Sequence, residues 1–252
     1  MKKKLAIFDL ADCEGCETEF FAMRNTQDFL MLNKFYDIVN WRLVSNQQKN
    51  DSFDIALIEG IPASKYEISK LKSIRKKSRI LIALGACAGL GGIPAIIDEN
   101  KRSKLIDYVY GKNFTARAIE AKPISAYVKI DYYISGCPAN PQEIKEILLN
   151  LAHNKILKEK TYPVCLECKA ENNTCLFIEK AQPCLGPITK GGCNAICPTR
   201  GLRCYGCWGQ LAGGNFSGMI TALKKQGKTK TEIKKIMDIF WNKSKEYQKY
   251  LK

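Results

Sequence analysis

Eight of the chain's 12 cysteines fall between Cys165 and Cys207, in a stretch whose core, residues 175–209, reads CLFIEKAQPCLGPITKGGCNAICPTRGLRCYGCWG. Prolines and glycines interleave the cysteines and leave no room for long helices or strands. Ordinary core-forming residues are too few here to order the segment by burial alone. Thiolates converging on metal would order it instead, because each ligand fixes a loop whose conformational entropy otherwise opposes folding.

Three chemistries use so many cysteines. Disulfides suit small secreted domains, but this chain begins MKKKLAIFDLADC, an apolar run too short and too acidic for a secretion signal. Zinc is the stronger rival, since Cys165-x-x-Cys168 and Cys204-x-x-Cys207 both have zinc-knuckle spacing. Iron-sulfur clusters fit the arithmetic better: 12 cysteines make three sets of four, and the chain has one histidine, His153. Zinc sites often draw on histidine, whereas cubane 4Fe-4S clusters are usually held by four thiolates. Three cubanes is the expected count. His153 sits in a lysine-rich helical stretch and reads as a surface residue.

At 252 residues and 46% hydrophobic content the chain can build a real core. No apolar run reaches membrane-spanning length, so the reading is a soluble cytoplasmic protein in a compartment where thiols stay reduced. The net charge of +15 raises nucleic-acid binding as a rival. An oxidised cubane with four thiolates carries about −2, so three of them leave a total of about +9. Much of the rest lies in the lysine-rich residues 224–252, and no RNA-binding or helix-turn-helix signature is present. A zinc-stabilised, basic nucleic-acid-binding protein would be colourless; a cluster protein would be brown and oxygen-sensitive.

Residues 5–10 (LAIFDL) read as a buried strand that ends directly before Asp12-Cys13-Glu14-Gly15-Cys16, with a helix expected over 18–32. Strands follow at 37–44 and 53–58, the second running into Glu59-Gly60-Ile61-Pro62. A helix over 64–77 buries Ile68, Leu71 and Ile74 and wets its lysines. Strand 79–84 then runs into Gly85-Ala86-Cys87, and strand 132–134 into Gly136-Cys137-Pro138. Pro141 opens a helix through 151. Helices are expected at 219–225 and 231–251, the latter with Ile233, Ile236, Met237, Phe240 and Trp241 on one side.

Alternating strands and helices predict an α/β fold, a flavodoxin-like doubly wound parallel sheet, followed by a small cysteine-rich iron-sulfur domain with little regular structure. The expected divisions are 1–155, 156–220 and a lysine-rich helical tail over 221–252. Ligands of such sheets bind outside the carboxyl ends of the strands. Cys13, Cys16, Cys87 and Cys137 all follow strands, so they fall on one edge and can share one cluster. The bland reading of Cys87 and Cys137 as small buried hydrophobes is opposed by Gly85 and Gly136, which let backbone approach a bulky ligand.

These motifs in this order resemble the small, electron-transferring subunit of nickel-iron hydrogenases. The matching pieces are Cys13-x-Gly-Cys16, Glu59-Gly-x-Pro62, Gly85-x-Cys87, Gly136-Cys137-Pro138 and Pro183-Cys-Leu-Gly-Pro-Ile-Thr189 followed by Cys193, covering residues 5 to 220 or so. The all-cysteine second half and Cys204-Tyr-Gly-Cys207-Trp-Gly209 are similar to the short cytoplasmic type, which includes the deazaflavin-coenzyme-reducing and non-reducing (methyl-viologen-type) enzymes and the delta subunits of sulfhydrogenases. Respiratory NADH:quinone oxidoreductase small subunits share the first half of this pattern but generally lack the second.

The resemblance implies that Cys13, Cys16, Cys87 and Cys137 hold a proximal 4Fe-4S cluster facing a large catalytic subunit. It implies a medial cluster on Cys193, Cys197, Cys204 and Cys207 and a distal one on Cys165, Cys168, Cys175 and Cys184, although spacing alone permits members such as Cys184 and Cys197 to exchange. The nickel-iron centre would lie in the large subunit, and a further flavin or iron-sulfur subunit would take the electrons; no nucleic-acid partner and no membrane span are implied. Glu14, Glu17 and Glu59, on the cluster-bearing edge, are candidates for a proton path or the subunit interface, or else plain turn and strand-end carboxylates. Phe20 and Phe21 are candidates for the interface.

Overall fold

The computed structural model describes residues 1–46, 51–97, 99–115 and 118–250. Its short apolar runs become β1 (Lys3–Asp9), β2 (Tyr36–Trp41), β3 (Phe53–Glu59), β4 (Ser78–Leu84) and β5 (Tyr132–Ile134). All pair in parallel, in the order β2-β1-β3-β4-β5. That is the flavodoxin-type order, with the connecting helices split between both faces.

The two-residue period of a strand sorts the side chains. Leu5, Ile7, Ile55, Leu57, Ile82 and Leu84 face one layer, against Phe20, Leu32, Leu148 and Leu151. Ala6, Phe8, Ala56, Ile58, Leu81 and Ala83 face the other, against Leu71, Ile74 and Ile124. Burying one such leucine or isoleucine contributes ~1.5–3 kcal/mol, so the paired layers dominate the domain's stability.

The helices of this half are α1 (Gly15–Ala22), α2 (Gln27–Phe35), α3 (Lys65–Lys77), α4 (Gly85–Leu90), α5 (Glu99–Tyr110) and α6 (Pro141–Ala152). Ser64 caps α3 by accepting from Glu67 N at 3.2 Å, and Asn140 caps α6 by accepting from Gln142 N at 2.8 Å.

Three expectations change. The single helix over 18–32 is two, because Thr26 adopts an extended backbone and its hydroxyl caps α2 at Phe29 N, 3.4 Å away. Strand β2 stops at Trp41, where Val44 and Ser45 N–H groups turn back onto the Trp41 carbonyl. Phe20 is 1% exposed and packs on Trp41 with ring centroids 5.2 Å apart, so it serves this domain's own core and not a partner. Helix α5 gave no sequence signal because none of its residues is buried.

The cysteine-rich half contains only short helices, α7 (Val164–Ala170), α8 (Leu176–Glu179) and α9 (Ile196–Thr199). Helices α10 (Phe216–Lys225), α11 (Lys230–Trp241) and α12 (Lys245–Gln248) follow. Phe216, Met219, Leu223, Ile233, Met237 and Trp241 pack on Leu185 and Ile188 of the cysteine-rich segment and on Ala86 of α4. The helix expected over 231–251 breaks after Trp241, and Ser244 caps α12 at Tyr247 N. Residue 251 of that expectation lies outside the described residues.

Candidate metal centres

Three loops bring the first four cysteines to the carboxyl edge of the sheet. Cys13 lies in the loop after β1, Cys16 in the first turn of α1, Cys87 in α4 and Cys137 after β5. Ala86 N donates to Gly136 O at 2.7 Å, which ties the Cys87 loop to the Cys137 loop. Ala139 N donates to Cys16 Sγ at 3.4 Å, which ties Cys137's loop to α1. Cys13, Cys87 and Cys137 line one depression of about 500 Å3 together with Asp12, Ile61 and Ile93.

Glycine is required where these sulfurs sit. Gly85 has φ +79°, and a Cβ there would collide with Cys16 Sγ. A Cβ on Gly92, also at positive φ, would lie 2.9 Å from Cys87 Sγ.

The carboxylates on this edge have separate surroundings. Glu59, at the end of β3 and 2% exposed, accepts from Cys16 N at 2.9 Å and Glu17 N at 2.7 Å. It does the work of an N-cap for α1 from 43 residues away, since Glu14 at the capping position makes no side-chain cap bond. Burial pushes the Glu59 carboxyl up despite those two bonds. Glu17 is buried, accepts from Trp41 Nε1 at 2.7 Å, and is pushed up to about 7 chiefly by burial. Its Oε1 has no hydrogen-bond partner among the described residues. Glu14 is in the left-handed region at φ 57°, half-exposed, and pairs with Arg42 at 3.2 Å.

The other eight cysteines form two adjoining groups. Cys165 and Cys168 on α7 feel the charges of Cys175 and Cys184. A Cβ on Gly186 would lie 3.1 Å from Cys165 Sγ and 3.6 Å from Cys184 Sγ. Cys193, Cys197, Cys204 and Cys207 line one cavity of about 340 Å3, and Cys137 lines it too. Cys184 Sγ accepts from Cys204 N at 3.2 Å. The three groups therefore adjoin in series, with Cys137 beside the Cys207 group and Cys184 at the join of the other two.

The donor chemistry fits iron-sulfur clusters. Burial, followed by the charges of neighbouring groups, pushes the half-buried Cys87, Cys165 and Cys207 up to about 12 and raises the buried Cys16. Sulfurs drawn this far out of water that repel one another as thiolates call for positive charge at their centre, and soft thiolates select iron-sulfur or zinc. In a cubane each thiolate binds a different iron.

Three residues near the sulfurs escaped the sequence reading. Glu167 accepts from Gly192 N and, at 3.3 Å, from Ala195 N, on either side of Cys193. Trp208 is 4% exposed, packs against Gly136 and Gly192, and has no partner for Nε1 among the described residues. Glu143 accepts from Ser135 N at 2.9 Å and is pushed up to about 7 by burial. Their partners are distant in sequence or on another element, so no local motif reveals them.

The family described as the 20 Kd subunit of NADH ubiquinone oxidoreductase matches residues 13–151, which hold all four cysteines of the sheet edge. Sulfhydrogenase 2 subunit delta of Pyrococcus furiosus is 36% identical over 222 residues, covering 88% of this chain and 92% of the relative. The chain belongs to this family, as a hydrogenase small subunit.

A vhu subunit of the F420-non-reducing hydrogenase of Methanocaldococcus jannaschii is 31% identical to this small subunit, with 82% of each chain covered. Both likenesses run through the cysteine-rich half, as the respiratory alternative would not. The structure of an NAD+-reducing [NiFe]-hydrogenase matches with a TM-score of 0.54 at 27% identity, over 62% of this chain and 94% of that one. A Ni-Fe-Se hydrogenase from Desulfomicrobium baculatum shares the fold over 87% of this chain, with a TM-score of 0.55 at 15% identity. The small subunit is part of an oxidoreductase complex, and no described helix is long and apolar enough to cross a membrane.

Proposed function

We propose that this small subunit relays electrons between the nickel-iron centre of a large subunit and an acceptor protein or flavin, through three 4Fe-4S clusters. Cys13, Cys16, Cys87 and Cys137 would hold the proximal cluster, Cys193, Cys197, Cys204 and Cys207 the medial one, and Cys165, Cys168, Cys175 and Cys184 the distal one. The observation that carries this reading is the series: Cys137 lines the cavity of the second group, and Cys184 Sγ accepts from Cys204 N of that same group. Clusters bound there supply one-electron carriers.

The chain's own residues supply position and environment. Glycines at 85, 92 and 186 leave room beside the sulfurs. Glu59 holds the Cys13–Cys16 turn against the sheet, and the apolar packing of α10 and α11 keeps water from the Cys204–Cys207 turn. Burial and nearby N–H groups set the potential of each site. The chain splits no bond itself, and the reading places the complex in the cytoplasm.

The test is hydrogen-dependent reduction of a viologen dye by the native complex, purified without oxygen through a tag on this chain. Activity, with iron in proportion to three cubanes, is the expected result. An iron-loaded complex with its large subunit that shows no activity in either direction ends the hydrogenase reading.

A further inference from the structure

Glu167 stands between Cys165 and Cys168 in sequence, yet its side chain leaves that group and reaches the next. Oε1 accepts from the Gly192 N–H and, at 3.2 Å, from the Tyr162 hydroxyl. Oε2 accepts from Ala195 N at 3.3 Å and lies 3.7 Å from Cys193 Sγ. One carboxylate thus brackets Cys193 from both sides of the chain. The Ala195 it holds is fully buried and sits at φ 48°, a backbone that non-glycine residues adopt only when held there.

We propose that Glu167 is the positioning residue that fixes the Cys193 loop and sets the reduction potential of the cluster on Cys193, Cys197, Cys204 and Cys207. The inference rests on the reading that these four cysteines hold the medial cluster. A negative carboxylate beside a ligand sulfur disfavours the arrival of an electron, so it lowers that cluster's potential; charge and hydrogen bonds near the sulfurs are the protein's levers on it. The Tyr162 hydroxyl tempers the effect by drawing on the same carboxylate, and Lys160, packed against Gly192, adds positive charge nearby. Because the carboxylate points away from the Cys165 group, its influence there is weaker although it shares α7 with two of those sulfurs.

The experiment is an EPR-monitored redox titration of the anaerobically purified native complex, with wild-type chain, Glu167→Gln or Tyr162→Phe. Cys193→Ser marks the signal that belongs to this group. Glu167→Gln with full iron content is expected to shift that midpoint upward, move the Cys165 group less, and leave the Cys13 group in place. Tyr162→Phe, which leaves the carboxylate's charge less engaged, is expected to shift it downward. A fully loaded Glu167→Gln complex whose marked midpoint is unmoved or lower overturns the role of Glu167 while the relay stands. If Glu167→Gln does not load iron, Tyr162→Phe decides alone: a downward shift supports the inference, and an unmoved or raised midpoint overturns it. If Cys193→Ser alters no iron-sulfur signal, the medial assignment falls and the inference falls with it.

Discussion

Glu59 reaches from the end of β3 to the backbone of Cys16, accepting its N–H at 2.9 Å, and closes the cysteine turn onto the sheet. Its other oxygen takes Glu17 N at 2.7 Å. Glu59→Ala leaves two N–H groups unpaired in a buried place, at a cost of ~2–4 kcal/mol. Glu59→Gln keeps one acceptor and costs less. We expect the alanine variant to lose about a third of the iron, the share of one cubane in three, while the glutamine variant keeps most of it. Thermal unfolding and iron per chain measure both effects, and full iron in Glu59→Ala would show that the turn holds itself.

Gly85 makes a sharper test of the same site. Its φ of +79° costs a non-glycine residue ~1–2 kcal/mol, and a Cβ there meets Cys16 Sγ, which also accepts from Ala139 N. Gly85→Ala is expected to remove the cluster signal that Cys13→Ser also removes and to leave the other two. An alanine variant with an unchanged EPR spectrum would mean that Cys16 is not a ligand.

The strands and their order were legible because each apolar run is short and stands alone between polar stretches, glycines or cysteines. Residues 53–58 and 132–134 were placed to within a residue of β3 and β5. Grouping the cysteines by strand end followed from topology alone. What stayed hidden depends on contacts across long separations. Thr26 reads as a helix interior until its extended backbone is seen. Glu59 reads as a strand-end acid until Cys16 N is found against it, and Glu167 as one more residue of a Cys-x-x-Cys until Cys193 is beside it. The resemblance supplied the division of the last eight cysteines, which spacing leaves open.

Glu143 gives the fold a pH dependence. Burial lifts its carboxyl from the ordinary 4.5 to about 7, against the pull of Ser135 N, Lys190 and Lys160 and with Glu146 pushing the same way. The folded state therefore holds a proton that the unfolded state releases between these values, so stability falls as pH rises from about 4.5 to about 7 and is lower by a constant amount above. Glu143→Gln keeps an oxygen for Ser135 N and removes the charge. Its unfolding midpoint should fall less steeply from pH 5 to pH 8 than the wild type's, with a difference on the order of 2 kcal/mol at the upper end. Parallel curves would mean that Glu143 is solvated in the folded chain.

Trp241 connects the C-terminal helices to the second cysteine group. It is 1% exposed, its Nε1 donates to Gly206 O at 3.0 Å, and its ring meets Phe216 edge-on at 5.9 Å. Gly206, between Cys204 and Cys207, has φ +90°, and its α-carbon faces the indole so closely that a Cβ would lie 2.7 Å from it. Trp241→Phe fills most of the volume but leaves the Gly206 carbonyl without its donor, a loss of ~1–3 kcal/mol. Trp241→Ala adds a cavity and costs ~3–5 kcal/mol. Because the lost contact bears on the turn that carries two sulfurs, both variants should surrender iron from that group to a chelator faster than the wild type, alanine most. Iron release at the wild-type rate in a Trp241→Ala chain that is measurably less stable would show that α11 supports the fold without supporting the Cys204–Cys207 turn.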